Sequence, residues 1–115
     1  MKHVRAGDTE WIEGRGYRKG KLLDTWPLPA EVSRLQEVRF AKGATMPPHY
    51  HKVQTEIFYA LGPGSIAING REVRMGQGDL VVCEPGEMHG MPLVEEDFAF
   101  LVIKIDYRED DTVWQ

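Results

Sequence analysis

Four side chains in the middle of the chain have the types and spacing of a metal site: His49, His51, Glu56 and His89. On an extended backbone, residues two apart point to the same face, so the imidazoles of His49 and His51 can reach one point. Glu56 opens the next segment, and a tight connection lets its carboxylate project into the same space. His89 follows after a hairpin and a further strand, and antiparallel pairing can return it to the same face. Three neutral nitrogens and one anionic oxygen suit a single divalent transition metal ion: Zn, Fe, Ni, Cu or Mn.

The elements that must position these groups read as β-strands. Short apolar segments over 34–41, 45–51, 55–61, 64–69, 71–75, 79–84, 88–94 and 97–107 are separated by turn residues, with 12 glycines and 7 prolines as punctuation. The sharpest local signal is Asn69-Gly70 between alternating residues, a two-residue hairpin turn that needs positive φ at both positions. The run from Phe98 to Ile105 is apolar on both faces at its start, which predicts a strand covered on both sides. Eight short strands without a convincing helix predict an all-β sandwich or barrel. Residues 1–33 are broken by Gly7, Gly14, Gly16, Gly20, Pro27 and Pro29, yet Trp11, Ile12, Tyr17, Leu22, Leu23, Trp26 and Leu28 are too apolar for a free tail. They predict an irregular arm that packs on the domain or on a partner subunit. Residues 108–115 read as a charged, solvated tail, with Trp114 as an anchor.

Composition bounds the function. The chain has 115 residues, the size of one domain, with 14 basic and 18 acidic side chains and a net charge of −4. The acidic balance argues against nucleic acid, and no segment approaches the ~20 apolar residues of a membrane span. No secretory signal is visible, so a cytoplasmic protein is expected. One cysteine excludes a disulfide framework.

The spacing around these ligands resembles the cupin superfamily. Its first motif, a glycine, five residues, His-x-His, three or four residues and Glu, is matched by Gly43 to Glu56; Gly62 and Gly64 flank the position of its closing glycine. Its second motif is matched by Gly78, Gly86 and His89, with Glu84 in the place of a proline, Pro85 beside it, and Leu93 where an asparagine sometimes stands. The resemblance covers roughly residues 34–107. It implies a small jelly-roll β-barrel over 34–107 that binds a metal inside through His49, His51, Glu56 and His89, with a coordination position left open.

Other residues bear on the pocket. Phe58 and Ala60 share the parity of Glu56 and are expected to line it, while Ile57, Tyr59 and Leu61 take the other face. Met46 and Met88 flank the ligands as candidate apolar wall. Arg39 is either solvent-facing or a pocket residue able to hold an anionic substrate. Tyr50 should point away from the histidines, Cys83 reads as an inert buried thiol, and His3 as solvated. An open metal position supports a metal-dependent enzyme acting on a small molecule, either of the dioxygenase type or of the isomerase or lyase type, with Glu84, Glu87 and Tyr59 as candidate acids or bases. The alternatives are a non-catalytic binding module for a sugar or small organic acid, and a barrel merely stapled by its metal. The aromatic-rich arm, together with what is common among similar small cupins, predicts a homodimer.

Overall fold

The computed structural model describes residue 7 and residues 9–21 and 33–115. Eleven strands run in chain order: β1 (Glu10–Glu13), β2 (Arg18–Lys21), β3 (Arg34–Phe40), β4 (Met46–Tyr50), β5 (Thr55–Ala60), β6 (Gly64–Ile68), β7 (Arg71–Met75), β8 (Leu80–Cys83), β9 (His89–Met91), β10 (Phe98–Ile105) and β11 (Val113–Trp114). They form two antiparallel sheets, β1-β2-β3-β10-β5-β8 and β11-β4-β9-β6-β7, in the jelly-roll arrangement. Alternation decides the inner faces. Val38, Phe40, Phe58, Ala60, Phe98, Phe100 and Val102 of the first sheet share one buried cluster with Ile66, Met75 and Met91 of the second. The Asn-Gly turn joins β6 to β7 as expected, with φ of 50° at Asn69 and 77° at Gly70.

Three expectations are corrected. Part of the stretch read as an irregular arm is a hairpin: β1 pairs with β2, and β2 extends the first sheet along β3. Glycines hid it from the sequence. Gly14 and Gly16 belong to its turn, and Gly20 is tolerated within a strand because its register partner Trp11 covers it with ring atoms 3.0 Å from where a Cβ would stand. Leu22, Leu23, Trp26, Leu28 and His3 lie outside the described residues. The tail is not simply solvated either, since Asp111 is buried and β11 pairs with β4. Finally, the outer face of β10 is covered only in part: Ala99 and Leu101 are half-buried there, and Ile103 and Ile105 are about two-fifths exposed.

The strands β4 and β9 matter most for the site, because their register sets His49 opposite His89. They lie unusually close at Gly90, where a Cβ would stand 2.8 Å from the Met46 carbonyl oxygen and 3.1 Å from that of Pro47. Both contacts are backbone, so neither can rotate away. Gly90→Ala is expected to destabilise the fold by about 1–3 kcal/mol, the range for an overpacked core, and to displace His49 from His89. Chemical denaturation checks the first effect; an unchanged midpoint would show that the strands can separate at no cost.

Candidate metal centre

His49 lies near the end of β4, His51 just beyond it, Glu56 on β5 and His89 at the start of β9. All four are buried. The ligating atoms of the three histidines lie within 4.8 Å of one another. The structure thus brings together the residues that the sequence singled out, from both sheets.

Each imidazole is oriented from behind. The Nδ1 of His49 lies 3.1 Å from the Pro47 carbonyl, that of His51 2.9 Å from the Asp111 carbonyl, and that of His89 3.2 Å from the Glu87 carbonyl. A carbonyl only accepts, so Nδ1 must carry the proton and donate. In each ring Nε2 is then left to turn inward, the tautomer that a metal-ligating histidine takes. The Nε2 atoms of His51 and His89 are buried without a hydrogen bond in this structure. Glu56 Oε1 stands 2.5 Å from the His51 Nε2 and 3.8 Å from that of His89, so the carboxylate is aimed at the same point as the imidazoles. Buried nitrogens converging on one point without partners are costly, and a cation there would satisfy them. The donor set therefore fits a metal ion.

Charge reinforces this geometry. Burial, with the neighbouring His89, brings His49 down to about 4, and burial lowers His89 as well, so both are neutral at physiological pH. Burial pulls His51 down too, but contact with Glu56 reverses the direction and raises it. Burial opposes ionisation of Glu56, yet His51, Lys104 and His89 outweigh it and bring the carboxyl to about 2. Glu56 is a carboxylate, further fixed by the Gln54 side-chain amide, which donates to it at 2.7 Å.

Around the centre lies a cavity of about 220 Å³. Phe58 and Met46 line it, as the sequence suggested. Ala60 and Met88 are not among its lining: Ala60 is fully buried in the core, and Met88 is half-buried elsewhere, its backbone N–H donating to the Asn69 side chain. Arg39 is exposed on the outer face, bonded to Glu37 at 2.7 Å and stacked over Trp11, so the pocket role is excluded in this arrangement. Glu84, Glu87 and Tyr59 also lie away from the cavity. A larger open groove of about 590 Å³ runs beside Arg39, separate from the histidines.

Sequence reasoning missed several residues that reach the cavity. Tyr17 enters from the β1–β2 hairpin, and burial together with Glu56 raises its phenol, which stays a hydrogen-bond donor. Lys104 sits on β10 directly opposite Glu56, and Lys19 and Arg108 also line the space. Trp114 packs its ring 4.5 Å from that of His49, and the Arg15 guanidinium lies over that indole at 4.6 Å. Asp111 accepts from the backbone N–H groups of Lys52, Val53 and Gln54 at 2.8–2.9 Å, which ties down the chain between His51 and Glu56. Its carboxyl is held below the usual value; burial opposes this, and the three donors outweigh it. The hints in the sequence were the apolar arm residues, Tyr17 among them, and the apolar pair Val113-Trp114 within a charged run.

The family model for the cupin domain matches residues 36–104. The chain belongs to the cupin superfamily. It is 33% identical over 90 residues to the pectin degradation protein KdgF of Dickeya dadantii (strain 3937), spanning 77% of this chain and 78% of that protein. Its fold is similar to that of KdgF from Halomonas sp., with a TM-score of 0.77, 22% identity, and coverage of 96% of this chain and 97% of the other. The polyketide cyclase RemF from Streptomyces resistomycificus is also similar, at 28% identity and a TM-score of 0.77, over 100% of this chain and 87% of the other. Within this cupin the buried histidine triad is the feature that points to a metal ion.

Proposed function

We propose that this cupin is a metal-dependent enzyme acting on a small, anionic, sugar-derived molecule by isomerase- or lyase-type chemistry. The observation that carries the reading is the triad of backbone-anchored imidazoles turned toward a cavity that also holds Lys19, Lys104 and Arg108. Three histidines and Glu56 would hold one divalent ion, Zn, Fe, Ni, Mn or Cu, and leave a position facing the cavity. A bound ion would supply Lewis-acid polarisation of a substrate oxygen. The protein's own groups do the rest. Lys104 and Arg108 place positive charge where a carboxylate would lie, and Tyr17 offers a phenolic O–H to an oxygen of the same molecule. Phe58, Val102 and Ile66 close the apolar floor and limit water. Similarity to a pectin degradation protein supports a sugar-derived substrate, and the likeness to a polyketide cyclase supports chemistry on a small molecule.

The test begins with elemental analysis of protein purified without a metal-affinity tag. About one equivalent of transition metal per chain is expected. The metal-loaded protein is then incubated with a panel of sugar acids and followed by proton NMR. Appearance of a rearranged or dehydrated product supports the enzyme. A ligand that broadens but persists unchanged identifies a binding module instead, and a chain that holds no metal overturns the reading at its root.

A further inference from the structure

Lys19 on β2 and Arg108 beyond β10 line the cavity without a carboxylate partner among the described residues. Lys104 joins them, set by register against Glu56. Two carboxylates, Glu56 and Glu109, share the lining, and Glu56 is already engaged by His51 and Gln54. The walls therefore hold one positive charge in excess, in a chain whose net charge is −4. A divalent ion held by neutral imidazoles would raise that excess to three. A ligand with a single carboxylate leaves two of the three uncompensated, and unpaired charge is costly in a space walled by Phe58, Val102 and Ile66.

The cations also stand apart. On β3, the strand between them, Lys19 pairs with Val38, while Lys104 of β10 pairs with Arg34, so their rows are four residues apart, about 13 Å along the strand. The row between holds Val102 and Phe58, which present apolar surface to the cavity. Lys19 is half-buried and shares its row with the core residues Val38 and Phe100, so its side chain stands over the inner face of the sheet. We infer that Lys19 forms a second anion subsite, apart from the one at Lys104 and Arg108, and that the molecule this cavity takes is a dianion with its charged groups at opposite ends. The uncharged middle lies over Val102 and Phe58. This rests on the reading of the cavity as the site of an anionic, sugar-derived molecule, and narrows it. An ammonium is a compact charge with three donors that pairs with a carboxylate or a phosphate, so what Lys19 requires is the second negative charge.

Titration calorimetry of the metal-loaded chain with acids of one scaffold tests this. D-gluconate is anionic at one end, whereas D-glucarate and 6-phospho-D-gluconate add a carboxylate or a phosphate at the other. One of the two dianions should bind at least about tenfold tighter than gluconate, the contribution of one charged hydrogen bond. The dianion preferred identifies the second group. Lys19→Met should bring that ratio to within about threefold, and Lys19→Arg, which keeps the charge, should retain most of it. Metal content is measured on every sample, so that stripping of the ion is not read as binding. If Lys19→Met does not fold, Lys19→Gln carries the same comparison. Equal affinity for all the acids overturns the second subsite and leaves the enzyme reading standing, and so does a preference that survives loss of the Lys19 charge. Metal-loaded protein that binds none of them overturns both.

Discussion

His51→Ala is expected to lose stoichiometric metal binding, with affinity for zinc or cobalt falling by more than the ~100-fold that loss of a merely supporting contact causes. Two effects combine. One nitrogen of the triad disappears, and so does the closest partner of the Glu56 carboxylate, which is 6% exposed. Breaking a buried pair by removing one member costs about 3–5 kcal/mol, since the remaining charge stays desolvated. Gln54 and Lys104 remain beside Glu56, so the metal-free variant should sit at the low end of that range. Titration calorimetry on metal-stripped protein measures the affinity, and urea unfolding of the same sample measures the stability. Binding at wild-type stoichiometry and affinity would sink the assignment of His51 as a ligand.

Asp111→Ala should be the most damaging change outside the ligands. Its carboxylate accepts from three consecutive backbone N–H groups, and alanine leaves all three to a partly exposed loop. A bond to a charged acceptor contributes about 1.5–3 kcal/mol, and water replaces part of it here, so a total loss of about 2–4 kcal/mol is expected. In metal-free protein this contribution is fully present above the unfolded-state value of 3.8 and fades as the pH falls through the lower folded value. Metal affinity should drop about 10–100-fold as well, although the Asp111 carbonyl that orients His51 is retained, because the clamp that fixes that carbonyl is gone. Asp111→Asn keeps one acceptor oxygen and should fall between. An alanine variant that melts and binds like the wild type would show that the loop is held by other means.

The candidate site was legible in two steps: residue type and spacing single out His49, His51 and Glu56 together, and the resemblance to the cupin motifs joins the distant His89 to them. The all-β class was legible because alternation and the Asn69-Gly70 turn act within a few residues, while the jelly roll itself followed from the resemblance to cupins. What escaped is set by long-range pairing. Asp111 looks like solvated tail, and what Trp114 anchors to is open, until β11 pairs with β4 and brings them to His51 and His49. Arg39 was open to either role because alternation shows which residues share a face, not which face is the core. Gly20 looked like a break because its cover, Trp11, comes from the other strand of its hairpin.

The carbonyl that orients His51 lies 60 residues downstream of it, and the indole that covers His49 comes later still. Translation runs from the N-terminus at roughly 5–20 residues per second. For about 1–5 s a nascent chain therefore carries all four donor side chains without the groups that fix two of the rings. Any ion captured during that interval meets floppy ligands, which choose by affinity rather than by shape. Geometry could discriminate among candidate ions only once β11 is laid beside β4.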